Sequence, residues 1–172
     1  GLIHLTKDGG ATWENVTPKK MPDWMMINSI DASSFDSGTA YIAGTRYKLG
    51  DFTPYLYVTD DYGKNWKLIT DGIKDEHFTR VLRSDKVNKN ILYAGTETGM
   101  YISFDRGNSW NEFQKNLPIV PITDLTIKDN SLIVATQGRS IWMIDDLTVF
   151  HQLTPSTDQI KLYKPKDSYR MG

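Results

Sequence analysis

Cysteine is absent from the 172 residues, which removes disulfides, thiol nucleophiles and cysteine metal ligands together. Histidine is scarce. His4, His77 and His151 lie far apart, whereas metal ligands usually come in closely spaced pairs, so no metal site is expected and the imidazoles read as surface or half-buried groups. No run of about 18 apolar residues occurs, so no membrane-spanning helix is expected. The formal net charge is −1, from 20 Lys and Arg against 21 Asp and Glu. Such a balance provides no field that would draw in nucleic acid or an anionic membrane. Dinucleotide, P-loop and nucleophile-elbow glycine motifs are missing, and no cofactor is implied. No stretch carries a helical period.

One turn motif is present three times. It runs from Thr6 to Trp13, from Thr59 to Trp66 and from Ser103 to Trp110, with the shared pattern [ST]-x-D-x-G-x-[TNS]-W. The aspartates are Asp8, Asp61 and Asp105; the glycines are Gly10, Gly63 and Gly107; the tryptophans are Trp13, Trp66 and Trp110. An Asp in a tight turn accepts backbone N–H groups two or so residues on. The glycine supplies a positive φ, the leading hydroxyl adds a side-chain bond, and the Trp opens the next strand and buries a large apolar area. These are structural roles. A calcium loop would need more carboxylates in sequence than any copy carries. The Trp residues are 53 and 44 positions apart. A recurrence of ~40–50 residues built from short strands is the mark of a propeller or solenoid.

The turns resemble the Asp-box of bacterial sialidases, sortilins and xyloglucanases. The likeness extends to Met21-Pro22-Asp23-Trp24, to Leu92-Tyr93-Ala94-Gly95-Thr96-Glu97 and above all to the stretch from Ala135 to Leu147. Residues 1 to about 153 are similar to the last blades of large secreted bacterial proteins with sortilin-like propellers, often labelled glycosyl hydrolases. Gln137 stands where that family often has His. The resemblance implies an extracellular or periplasmic setting. It also implies a protein, peptide or glycan ligand, with part of a glycoside hydrolase, xyloglucanase-like or sialidase-like, as the alternative.

Short runs rich in Val, Ile, Tyr, Thr and Leu, each bounded by turn residues, predict an all-β propeller fragment of about three and a half four-stranded antiparallel blades. With strands labelled A (innermost) to D (outermost), residues 1–17 form half a blade. Blades over 18–71, 72–117 and 118–153 follow, the last with a weak strand D at 149–153. Residues 154–172 read as a linker or the start of a following domain, with a short strand at 159–163. Small residues in the B strands would let neighbouring sheets approach closely. A partial ring exposes apolar blade faces, so the remaining blades are expected from the same polypeptide or from a second chain; two copies would supply about seven blades.

Ligands of a propeller meet the B–C and D–A loops, on the face opposite the repeated turns. The longest B–C loop holds Arg46, Tyr47, Lys48 and Asp51, and Trp24 and Arg139 lie in other loops of the same face. These cations and aromatic rings suit a sugar or a peptide side chain; equally, a long loop can be packed by its own aromatics. A glycosidase needs two carboxyl groups, and the candidates are Asp51, Glu97, Asp75 and Glu76. The sialidase alternative would need clustered arginines from among Arg46, Arg80, Arg83 and Arg139.

Overall fold

The computed structural model describes residues 1–153, 160–165 and 167. Among these described residues thirteen strands form four antiparallel sheets. The first sheet is β1 (His4–Leu5) with β2 (Glu14–Asn15). The second runs in order β3 (Met26–Ala32), β4 (Ala40–Arg46), β5 (Asp51–Thr59), β6 (Lys67–Leu68). The third repeats that order with β7 (Thr79–Ser84), β8 (Leu92–Thr96), β9 (Met100–Ser103) and β10 (Asn111–Glu112). The fourth has three strands, β11 (Ile122–Lys128), β12 (Ser131–Thr136) and β13 (Ile141–Ile144). Consecutive strands pair throughout, which is the up-and-down order of propeller blades. The chain is a propeller fragment.

The core lies between blades. Val16, Met25, Ile42 and Tyr57 pack the first sheet against the second. Tyr41, Leu56, Ile69, Leu82 and Trp110 join the second to the third. Phe113, Ile122, Leu132 and Val134 join the third to the fourth. Each middle sheet is therefore apolar on both faces, and β8 is buried along its whole length. A Cβ on Gly95 would stand 2.6 Å from Ile122 Cγ2 of the next blade, so the small residue sets how closely the sheets approach. Nearer the axis, polar side chains link neighbouring A strands. Ser29 Oγ accepts the Leu82 N–H at 3.1 Å, and Asp31 accepts the Ser84 N–H at 2.9 Å. Arg83 donates through Nε to the Leu125 carbonyl at 2.9 Å and through a terminal nitrogen to Asp124 at 2.8 Å.

The three turns share one bonding scheme. The aspartate accepts the backbone N–H four residues on, at 2.9 Å in every copy: Thr12 to Asp8, Asn65 to Asp61, Ser109 to Asp105. This replaces the expected offset of two, because the Asp side chain spans the turn rather than its first half. The same carboxylates accept the side chains of Thr12, Asn65 and Ser109 at 2.6, 2.7 and 2.6 Å. The leading hydroxyl accepts the glycine N–H: Gly10 to Thr6, Gly63 to Thr59, Gly107 to Ser103. The second and third turns then grip the blade before them. The Trp66 indole N–H donates to the Val16 carbonyl at 2.7 Å, and that of Trp110 to the Ile69 carbonyl at 2.8 Å. Trp13 departs from the expected burial. It is 61% exposed, since no earlier blade lies against it among the described residues.

The weak strand D expected at 149–153 is instead a single helical turn, α1 (Thr148–His151). Its start is fixed by Asp146 Oδ1, which accepts the Thr148 N–H at 2.9 Å. Buried Leu147 and the edge-to-face contact of Phe150 with Phe113 (centroids 5.4 Å apart) anchor it between the last two blades. His151 Nε2 meets Asp85 Oδ2 at 3.0 Å. Asp85 is fully buried and also accepts the N–H groups of Val87 and Asn88 and the Tyr93 hydroxyl. Of the strand expected at 159–163, Gln159 lies outside the described residues and 160–163 is irregular. Most of the expected linker 154–172 is likewise outside them.

Candidate functional site

The long B–C loop is more regular than a solvated loop. Strand β4 continues to Arg46, a 3-10 turn covers Tyr47–Leu49, Gly50 reverses the chain at φ 74°, and Asp51 pairs back with Arg46. Asp51 is held from three sides. Its carboxylate meets Arg46 at 2.7 Å and accepts the Tyr55 hydroxyl at 2.8 Å and the Thr53 N–H at 3.1 Å. Burial raises the Asp51 pKa, but the hydrogen bonds from Tyr55, Thr53 and Arg46 outweigh it and hold the group below the ordinary carboxylate value. It is thus ill suited to act as a general acid. The Arg46 Nε–H is buried without a hydrogen-bond partner.

Tyr47 leaves the loop and stacks on Phe78 of the next blade, with centroids 5.1 Å apart and planes 10° from parallel. Phe52 adds a tilted contact at 5.9 Å. The Arg80 guanidinium lies over both rings, 5.7 Å from Tyr47 and 5.4 Å from Phe78, and donates through Nε to Glu97 at 2.5 Å. The loop is therefore packed by its own aromatics and by the adjoining blade. Phe78, which precedes β7, was not among the expected site residues, and Arg80, which lies on β7, was named only among the arginines of the sialidase alternative.

Beside this cluster Trp24, Met26, Thr45, Arg46, Tyr47, Lys48 and Leu49 line a groove of ≈ 230 Å³. Trp24 is 85% exposed and holds φ 61°, a backbone region that a bulky residue rarely adopts. The same indole borders a second depression with Pro18, Lys19, Met21 and Pro22. The structure thus unites four of the expected ligand residues: Trp24, Arg46, Tyr47 and Lys48. Arg139 does not line the groove; it is exposed in the turn before β13, and its carbonyl accepts the Trp142 indole N–H at 2.8 Å.

The four candidate carboxylates differ in their surroundings. Asp51 is tied to Arg46, Glu97 is tied to Arg80, and Asp75 and Glu76 stand exposed before β7. Arg46, Arg80 and Arg83 each hold a different acid, Asp51, Glu97 and Asp124. A pocket of ≈ 350 Å³ that sequence reasoning did not identify lies over the third blade, where His77 Nδ1 meets the Tyr101 hydroxyl at 2.8 Å and Lys74 pairs with Glu112. No three or more acidic or histidine side chains among the described residues are grouped to hold a metal ion. No helix among them is long and apolar enough to cross a membrane.

Sheet order, inter-blade cores and the loop-face groove together define an arc of a β-propeller. The chain belongs to the sortilin (Vps10) family: residues 54–169 match the family model described as Sortilin-Vps10, sortilin, neurotensin receptor 3. No curated protein sequence matches it. Among solved structures it is similar to YCF48 bound to D1 peptide, with a TM-score of 0.58 at 20% identity over 86% of this chain and 50% of that one. YCF48 from Cyanidioschyzon merolae gives a TM-score of 0.57 at 18% identity over 84% and 46%. The GH74 enzyme of Niastella koreensis gives 0.55 at 12% identity over 70% and 21%. The chain thus spans half or less of each of these structures, and at such identities the likeness concerns the fold.

Proposed function

We propose that this arc is a binding module that takes an extended peptide or protein segment on its B–C and D–A loop face, against Trp24, Met26 and Leu49, with the Lys48 ammonium at the rim. The observation that carries the reading is Trp24. A large indole held at positive φ and left in water is not accounted for by packing, and strain of this kind clusters at ligand sites. An apolar groove with one aromatic platform and few polar groups suits a side chain better than a sugar, whose hydroxyls need matching donors and acceptors. The YCF48 structure with a peptide supports a peptide ligand for the fold, and the tied carboxylates disfavour the glycoside hydrolase alternative. The proposal takes residues 1–153 as the propeller part, 154–172 as a linker or the start of another domain, and further blades as coming from the same polypeptide or a second chain. The family resemblance supports a setting outside the cytoplasm.

The test is selection of a random linear peptide library on the protein and on Trp24→Ala. Selected peptides should bind Trp24→Ala at least ten-fold more weakly, at unchanged Tm. Equal binding to both proteins, or hydrolysis of β-glucan or sialoside that disappears in Asp51→Ala or Glu97→Ala, would overturn the reading.

A further inference from the structure

The two complete blades end in a fourth strand, whereas the last sheet stops at β13. Among the described residues no strand pairs with the outer edge of β13, because the chain turns into α1 instead. That edge reads Ile141-Trp142-Met143-Ile144, with no charge and no proline, the usual means of blunting an open strand. Ile141 is 72% and Met143 59% exposed. A groove runs beside the edge, lined by Trp142, Met143 and Ile144 on one side and by Phe113, Lys115 and Leu117 on the other.

The complete blades show what fits such a place. β6 and β10 each pair through two residues and are followed by a buried apolar residue, Ile69 or Phe113. In β10 the Glu112 carboxylate pairs with Lys74, which lies in the loop arriving from the preceding blade. Lys115 lies in the corresponding loop into the last blade. Its ammonium rests over the Phe113 ring at 5.5 Å, and it has no carboxylate partner among the described residues.

We propose that the β13 edge and its groove accept an extended segment of a partner polypeptide by strand addition, with an apolar residue entering the groove and an acidic residue beside Lys115. Main-chain hydrogen bonds to 141–144 supply affinity, and the groove and the lysine supply selectivity. The site shares no residue with the Trp24 groove and stands independently of it.

The test is amide hydrogen exchange on the 172-residue chain with a synthetic peptide of residues 109–114, the outer strand of the third blade. Exchange at 141–144 should slow at least ten-fold at saturating peptide. It should not slow with a peptide carrying Asn111→Pro, and Lys115→Glu should weaken binding at least five-fold. Three results would overturn the proposal. The first is unchanged exchange at 141–144. The second is peptide-independent protection that grows with protein concentration, which assigns the edge to a second copy. The third is peptide-independent protection lost in Leu162→Asp, which assigns it to the chain's own segment with exposed Ile160 and Leu162.

Discussion

The aspartate of each repeated turn is a structural anion. Asp8 has its pKa lowered to about 2, chiefly by the Thr12 side chain, then by the Thr12 N–H and Thr6. Asp61 is lowered by the Asn65 N–H and side chain. For Asp105 burial acts upward, but the bonds from Ser109 and Ser103 prevail and the pKa is lowered. A carboxyl whose folded pKa lies below its unfolded value binds fewer protons in the native state, so its stabilisation is complete above the unfolded value and fades as pH falls toward the folded one. The turns are expected to hold down to about pH 4 and to weaken between about pH 4 and 2. A thermal series across that range should show Tm falling more in the native protein than in Asp8→Asn with Asp61→Asn; parallel curves would contradict this. Glycine makes a second residue-scale prediction. Gly63 has φ 80°, and a Cβ there would meet Val16 Cβ at 2.6 Å, whereas at Gly10 (φ 100°) the nearest atom is 3.9 Å away. Gly10→Ala should cost ~1–2 kcal/mol for the left-handed backbone alone. Gly63→Ala adds overpacking of ~1–3 kcal/mol, so its urea midpoint should fall further. At this scale residue types in the turn were legible in the sequence. The bonding offset was not, because an Asp carboxylate reaches several N–H groups and only the closed turn decides between them.

Among elements, A, B and C strands were readable because alternation and β-branched residues follow directly from a sheet buried between neighbours. The outer strands are only two residues each, since their far side meets water. α1 was not legible, as four residues cannot display a 3.6-residue period. Its place depends on contacts distant in sequence, with Phe113 and Asp85. The groove was half legible: Trp24, Arg46, Tyr47 and Lys48 fall in loops, whereas Phe78 and Arg80 carry the packing from strand A and its approach. The His151 contact makes a prediction. His151→Ala removes one of four partners of a fully buried carboxylate, and the expected loss is ~1–3 kcal/mol in chemical denaturation. In Asp85→Asn with His151→Ala the second change should cost less than it does alone. Additive losses would show that the contact contributes nothing.

As a whole the molecule has two unlike ends. At one, Trp13 stands in water and Ile30 of β3 is 55% exposed. At the other, Ile141 and Met143 of β13 project from the last sheet. Each interior face between these ends is covered by a neighbouring blade, and each covered turn Trp donates to the blade before it. That the fold is an arc was legible from the recurrence of the turn. The residues left uncovered at each end were not, because which side of a strand lies uncovered depends on register and on the bulges in β3, β7 and β11. The most direct test of this account is an experimental structure of the assembled ring. The prediction is that the Trp13 indole N–H donates to a carbonyl just after the outer strand of a preceding blade, as Trp66 does to Val16. A Trp13 indole left in solvent in the assembled ring would contradict it.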